Sequence, residues 1–214
     1  FGDEGSCYWI GKEAMSLFTK EADGRAAKGA LYEIVRQELR LADDMDFIDL
    51  VIREYAPYRD KVAAFQRFAA QAAQEGDAEA IALYECAAHE LALMVQALKR
   101  ELRFPDGTKV SYSGGLFQTG DLILAPLKRE VTALRCALEA PKKSGVEGAW
   151  LLAVHNFLRK LCRAVAPPHR RMARGDGPLH LQKLLFAQHM TSASLWHQCT
   201  TVEADPSRNI RIFV

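Results

Sequence analysis

Apolar residues recur at helical spacing through most of the first hundred positions. Ser6 can cap a helix that carries Ile10, Ala14, Leu17 and Phe18 on one face, and Asp23-Gly24 ends it. Further helices are predicted over residues 27–39 and 46–55, after which Pro57 breaks the chain. Val62, Phe65, Phe68, Ala69 and Ala72 then trace one apolar face over residues 58–75, stopped by Gly76. Asp77 caps the longest helix, whose stripe runs through Tyr84, Ala88, Leu91, Val95, Leu98 and Leu102.

The period then changes. Pro105-Asp106-Gly107 makes a turn, residues 110–113 read as a short strand, and Gly114-Gly115 follows it. Residues 122–134 return to helical spacing, 136–138 form a second short strand, and 146–161 form a helix opening after Gly145. Two strands separated by a helix predict a parallel βαβ unit buried under many helices, hence an α/β fold with 110–112 inside a small sheet. Toward the end, Pro167-Pro168 closes a helix, residues 179–196 read as one more helix, and residues 210–214 as a strand.

Composition narrows the function classes. The 214 residues include 28 Lys+Arg and 27 Asp+Glu, a net charge of +1, and 49% are hydrophobic. That balance removes the basic excess expected of a nucleic-acid partner, and the apolar content excludes disorder. No run approaches the ~18 apolar residues of a membrane span, so no membrane partner is expected. Five scattered cysteines, Cys7, Cys86, Cys136, Cys162 and Cys199, form no CxxC pair and read as free thiols of a reducing cytoplasm. Charge is uneven: residues 157–214 hold nine Lys or Arg against three Asp or Glu, and four of the six histidines. A boundary is therefore expected near 157, dividing residues 1–156 from a basic tail, 157–214, of uncertain origin.

Two short stretches carry candidate chemistry. In Gly2-Asp3-Glu4-Gly5-Ser6, glycines around two carboxylates make a turn whose backbone can approach a ligand, while a carboxylate can accept hydrogen bonds from a polyol. The same residues also suit a plain helix N-terminus with acidic groups at its positive end. Ser113-Gly114-Gly115-Leu116-Phe117 follows a strand, where paired glycines let main chain pack against a purine or its phosphates, or simply form a strand-to-helix turn. Residues 141–149 read as a structural loop entering a helix. His89 reads as solvent-facing, His180 and His189 lack metal-ligand spacing, and no GxSxG elbow exists.

Four strings stand in one order: GDEGSCYWIG at 2–11, AAQEGDAEA at 72–80, VSYSGGLF at 110–117 and PKKSGVEGAWLLA at 141–153. Together they resemble the C-terminal half of the BadF/BadG/BcrA/BcrD-type ATPase and N-acetylglucosamine kinase family, within the actin-like ATPase and sugar kinase superfamily. The resemblance implies a ribonuclease-H-like actin-type ATPase lobe, helix-rich around a small sheet, with the N-terminal lobe lacking. It implies ATP and Mg²⁺ as cofactors and an amino sugar such as N-acetylglucosamine as substrate; a homodimer stays open. Asp3, with Gly2, matches the position that contacts sugar hydroxyls. Ser113, Gly114 and Gly115 match the loop that packs on adenosine, with Thr119 a looser match beyond it and Ala63 a less secure adenine-side contact. Asp3 and the 113–115 loop are then expected to border one cleft.

The family's phosphate loop, catalytic aspartate and most sugar-binding residues lie upstream of GDEGS. The catalytic residues are therefore unknown in this sequence, and the chain alone is expected to be inactive as a kinase. Two other readings stand beside the kinase: an ATPase activator of a CoA-linked reductase or dehydratase, which would need cluster-binding cysteines, and a non-catalytic helical interaction module.

Overall fold

Ser6 begins the first helix as its sequence demands: its hydroxyl oxygen accepts the Trp9 backbone N–H at 3.1 Å, opening α1 (Cys7–Ala22). The computed structural model describes residues 3–165, 201–205 and 209–213. Helices α2 (Ala30–Glu38), α3 (Asp46–Leu50), α4 (Arg59–Gln74), α5 (Ala78–Glu101), α6 (Asp121–Ala133) and α7 (Gly145–Val165) follow in order. The single helix expected over 46–55 is two pieces, because α3 passes into a π-helical turn at Val51–Tyr55 before Pro57. A cap residue likewise explains the start of α5, Asp77 Oδ1 accepting the N–H groups of Glu79 and Ala80 at 3.0 and 3.1 Å.

Three helices stop by one device. Leu39-Arg40-Leu41, Leu102-Arg103-Phe104 and Leu134-Arg135-Cys136 each place the arginine at positive φ, 52°, 52° and 55°. In each, the N–H of the following apolar residue donates five positions back: Leu41 to Arg36 O, Phe104 to Lys99 O and Cys136 to Val131 O. This is a Schellman stop with arginine where glycine is usual.

Small residues bring α1 onto α4. A Cβ on Gly11 would lie 2.0 Å from the Val62 carbonyl oxygen, so only glycine fits that crossing. Behind it Phe18, Phe47 and Phe65 are fully buried, with ring centroids 4.4 Å apart for Phe18 and Phe47 and 5.9 Å for Phe47 and Phe65. On α5 the buried stripe is Ala80, Tyr84, Ala87, Ala88, Leu91, Ala92 and Val95, while Leu102 at its end is exposed. Contrary to the expectation from the sequence, α5 is long and apolar enough to cross a membrane, with an 18-residue stretch at mean hydropathy 1.2. Its many alanines raise that mean. The packed stripe, with Glu85 and His89 exposed on the same helix, gives it the character of a core helix.

The chain divides into two compact units, Phe1–Ala140 with Gln198–Val214, and Pro141–His197. In the first, strands β1 (Lys109–Ser113), β2 (Ala137–Glu139), β3 (Thr201–Asp205) and β4 (Asn209–Phe213) form one sheet in the order β2-β1-β4-β3. β1 runs parallel to β2, from which α6 separates it in sequence, as the βαβ reading requires, and it runs parallel to β4 on its other side. Val110, Ile210 and Ile212 are fully buried. β3, antiparallel to β4, was not anticipated from the sequence.

In the second unit α7 opens with a capping box. The Ser144 hydroxyl and backbone N–H both donate to Glu147 Oε2 at 2.9 Å. Val146, Trp150 and Phe157 on this helix are exposed. The helix expected at 179–196, the Pro167-Pro168 break, His180 and His189 lie outside the described residues.

Candidate functional site

Asp3 enters α1 through a tight turn in which the Ser6 N–H donates to the Asp3 carbonyl at 3.1 Å. Its side chain is 12% exposed, and its Oδ2 takes a charged hydrogen bond from an Arg59 Nη in the first turn of α4. The Arg59 guanidinium lies over the Tyr8 ring, 4.1 Å from its centroid. Gly2 lies outside the described residues.

Gly5 corrects one expectation. Its φ is +80°, and a Cβ there would meet the Ala87 carbonyl at 2.8 Å and Leu91 Cγ at 3.0 Å. The close approach this glycine permits is to α5, so packing rather than a ligand accounts for it. Ala63 is half-buried, four residues beyond Arg59 and therefore on the same face of α4.

The loop at 113–115 has a different setting. Parallel pairing puts the carboxyl ends of β1, β2 and β4 at one sheet edge, with Ser113 in register with Phe213, and the loop leaves from that edge. Gly114 adopts φ 137° and ψ 171°, a conformation that L side chains rarely reach. Gly115 begins a 3₁₀ turn, Gly115–Thr119, and a Cβ built on it meets nothing within 4 Å. The loop is thus exposed main chain resting on buried Leu116 and Phe117, with the Phe117 ring 4.6 Å from that of Tyr112. Thr119 Oγ1 donates to the Leu116 carbonyl at 2.7 Å, closing the turn from within. Among the described residues no hydrogen bond or ion pair joins Asp3 to this loop.

Two residues escaped the sequence reading. Arg59 has no local signal, since its partner is 56 positions away. Glu21 does have one, because it extends the buried face of Ala14, Leu17 and Phe18 by one more turn. It is fully buried; Oε1 accepts the Gly29 N–H at 2.9 Å, and Oε2 has no partner among the described residues. Burial above all, then the Asp77 and Glu79 carboxylates, raises its pKa. Asp77 Oδ2 meanwhile accepts the Leu31 N–H at 3.0 Å, tying the start of α2 to the start of α5.

Cys7, Cys86 and Cys136 are free thiols. Burial pushes Cys7 up to about 11 and raises Cys136, which keeps both protonated and poor metal ligands. His89 is exposed, as expected, beside Glu130 at 3.5 Å. Among the described residues no three His, Cys, Asp or Glu side chains are grouped to hold a metal ion. A groove of about 430 Å³ lies between α2, the π-helical turn and α4, lined by Leu39, Tyr55, Lys61 and Arg67 among others, and includes none of the candidate site residues.

Compared with known proteins, residues 1–153 match a family model described as the BadF/BadG/BcrA/BcrD ATPase family. No curated protein matches the chain.

Proposed function

The chain belongs to the BadF/BadG/BcrA/BcrD ATPase family, and on that premise we propose that it is the ATP-binding lobe of an ATP-dependent sugar kinase acting on an amino sugar such as N-acetylglucosamine. The observation that carries the nucleotide half of this reading is the Gly114-Gly115 loop, exposed main chain at the carboxyl edge of three parallel strands, with nothing within 4 Å of a Cβ built on Gly115. A flat purine can lie against such a surface because no Cβ intervenes, and the buried Leu116 and Phe117 beneath keep the loop from yielding.

ATP fits that surface by chemistry and space, with Ser113, Gly114 and Gly115 as its adenosine contacts. Ala63 and Thr119 are secondary candidates, the Thr119 hydroxyl keeping only its acceptor lone pairs for a ligand. When bound, Mg²⁺-ATP supplies the phosphoryl group and neutralises its charge. No residue of this chain is assigned to the metal. On the sugar side, Asp3 accepts hydroxyl hydrogen bonds and orients the acceptor, and in this reading it borders the same cleft as the loop, since in-line transfer needs both substrates together. The lobe follows the ribonuclease-H-like actin-type plan and works in the cytoplasm.

The activator-ATPase reading gains nothing from Cys7 and Cys136, which burial keeps protonated. The test is a coupled ADP-release assay with N-acetylglucosamine and Mg²⁺-ATP, alongside calorimetry with ADP on wild type and Gly115→Leu. The 214 residues alone are expected to bind ADP, more weakly in the variant, and to show no sugar-dependent ADP release, since no catalytic residue is assigned among them; robust release would overturn that assignment. ADP binding indifferent to Gly115→Leu removes the adenosine role and favours the non-catalytic module.

A further inference from the structure

Resting on the kinase reading above, we propose that Arg59 positions Asp3 for its substrate hydroxyl, with the Tyr8 ring as the platform that fixes the guanidinium. A carboxylate only 12% exposed needs a compensating partner, and Arg59, itself 33% exposed, provides one. The contact is one-sided: Oδ2 is engaged, whereas Oδ1 accepts no hydrogen bond among the described residues. Pinning one oxygen fixes the carboxylate plane and leaves the other as an acceptor at a set place, so a sugar hydroxyl meets an arrangement already ordered before binding.

Why an arginine suits this task follows from its neighbours. The guanidinium is planar, so it can donate in its plane to Asp3 while its face rests on Tyr8 at 4.1 Å. Its backbone is equally fixed: Arg59 opens α4, and α4 is locked to α1 at the Gly11 crossing, one turn beyond Tyr8. Asp3, Tyr8 and Gly11 thus belong to the same stretch of chain that α4 grips. Lysine has the charge without the flat face. Arg59 acts through Asp3 and is a positioning residue, not a catalytic one.

The first test applies if the native protein turns over Mg²⁺-ATP with N-acetylglucosamine. Arg59→Met is expected to raise the sugar KM about 10- to 100-fold, as loss of one partner of a partly buried pair implies, with the ATP KM within about twofold. Arg59→Lys recovers part of the loss. Tyr8→Phe, which keeps the ring, behaves as wild type, and Tyr8→Leu raises the sugar KM about threefold, the scale of an exposed cation–π contact. A merely structural role would move both KM values and the thermal midpoint together. An unchanged sugar KM in Arg59→Met, in a wild type that turns over, overturns the proposal and leaves the kinase reading intact.

A second measurement tests the positioning role when wild type shows no sugar-dependent turnover, the outcome expected where no catalytic residue is assigned to these residues. The Arg59 Nη resonances in ¹⁵N-labelled protein are expected to show hindered guanidinium rotation, released in Asp3→Asn. They are also expected to shift on adding N-acetylglucosamine to wild type and not to the variant. Resonances that are indifferent to both Asp3→Asn and the sugar overturn the positioning role.

Discussion

The two glycine turns that bracket the candidate site differ in what a methyl group would meet. At Gly5 it would strike the Ala87 backbone and the Leu91 side chain; at Gly115 it would meet nothing within 4 Å. The first turn is built against α5 and serves packing, with Asp3, the proposed sugar contact, beside it. The second is supported from below by Leu116 and Phe117 and left open above. A glycine-rich string therefore has two physical causes that look alike in sequence, and only the surroundings tell which operates.

The largest expected effect tests the packed side. Gly5→Ala should destabilise the protein by about 3 kcal/mol, combining a left-handed alanine with a methyl forced onto backbone, and urea unfolding measures it. A loss below about 1 kcal/mol would mean that the turn yields and the comparison fails. Gly114→Ala comes next, at about 2 kcal/mol, because φ 137° with ψ 171° is strained for any L side chain whatever the free space. That strain makes Gly114 a poor place to probe ligand binding, and Gly115 the better one.

Glu21 sharpens the packed side through pH. Its raised folded-state pKa means that, as pH rises past the ordinary glutamate range near ~4.3, the unfolded chain releases this proton first. Stability then falls with rising pH until the folded-state carboxyl also ionises, and is level above. Glu21→Gln should remove that part of the slope in urea midpoints measured from acid to neutral pH; identical slopes would contradict the protonated, buried state.

On the open side, Gly115→Leu should change unfolding free energy by less than about 0.5 kcal/mol, as surface substitutions do, while ADP affinity drops about tenfold by calorimetry. The smallest effect lies outside both turns. Arg103→Gly should stabilise the protein by about 0.5 kcal/mol, glycine relieving the positive φ at the end of α5 at some cost in chain entropy. No gain in the thermal midpoint would show that the arginine is unstrained there.

Much of this architecture was legible along the chain. Ser6 and Asp77 caps, the stripes of α4 and α5, and the strand-helix-strand order of β1, α6 and β2 all rest on contacts within a few residues, so periodicity and cap chemistry suffice to predict them. The Leu-Arg-apolar stops were equally local, yet arginine at a position usually held by glycine hid them. The Gly-Gly loop was found from its place after a strand.

Tertiary structure decided the rest. That Gly5 faces α5, that Arg59 holds Asp3 across 56 positions, that Glu21 is buried beside Asp77, and that β4 inserts between β1 and β3 are pairings between distant segments. Local sequence records which residues prefer a helix or a strand and which face is apolar, because those preferences act between neighbours. Which faces meet depends on the competition among all of them for the same buried volume, and that is settled only when the whole core closes.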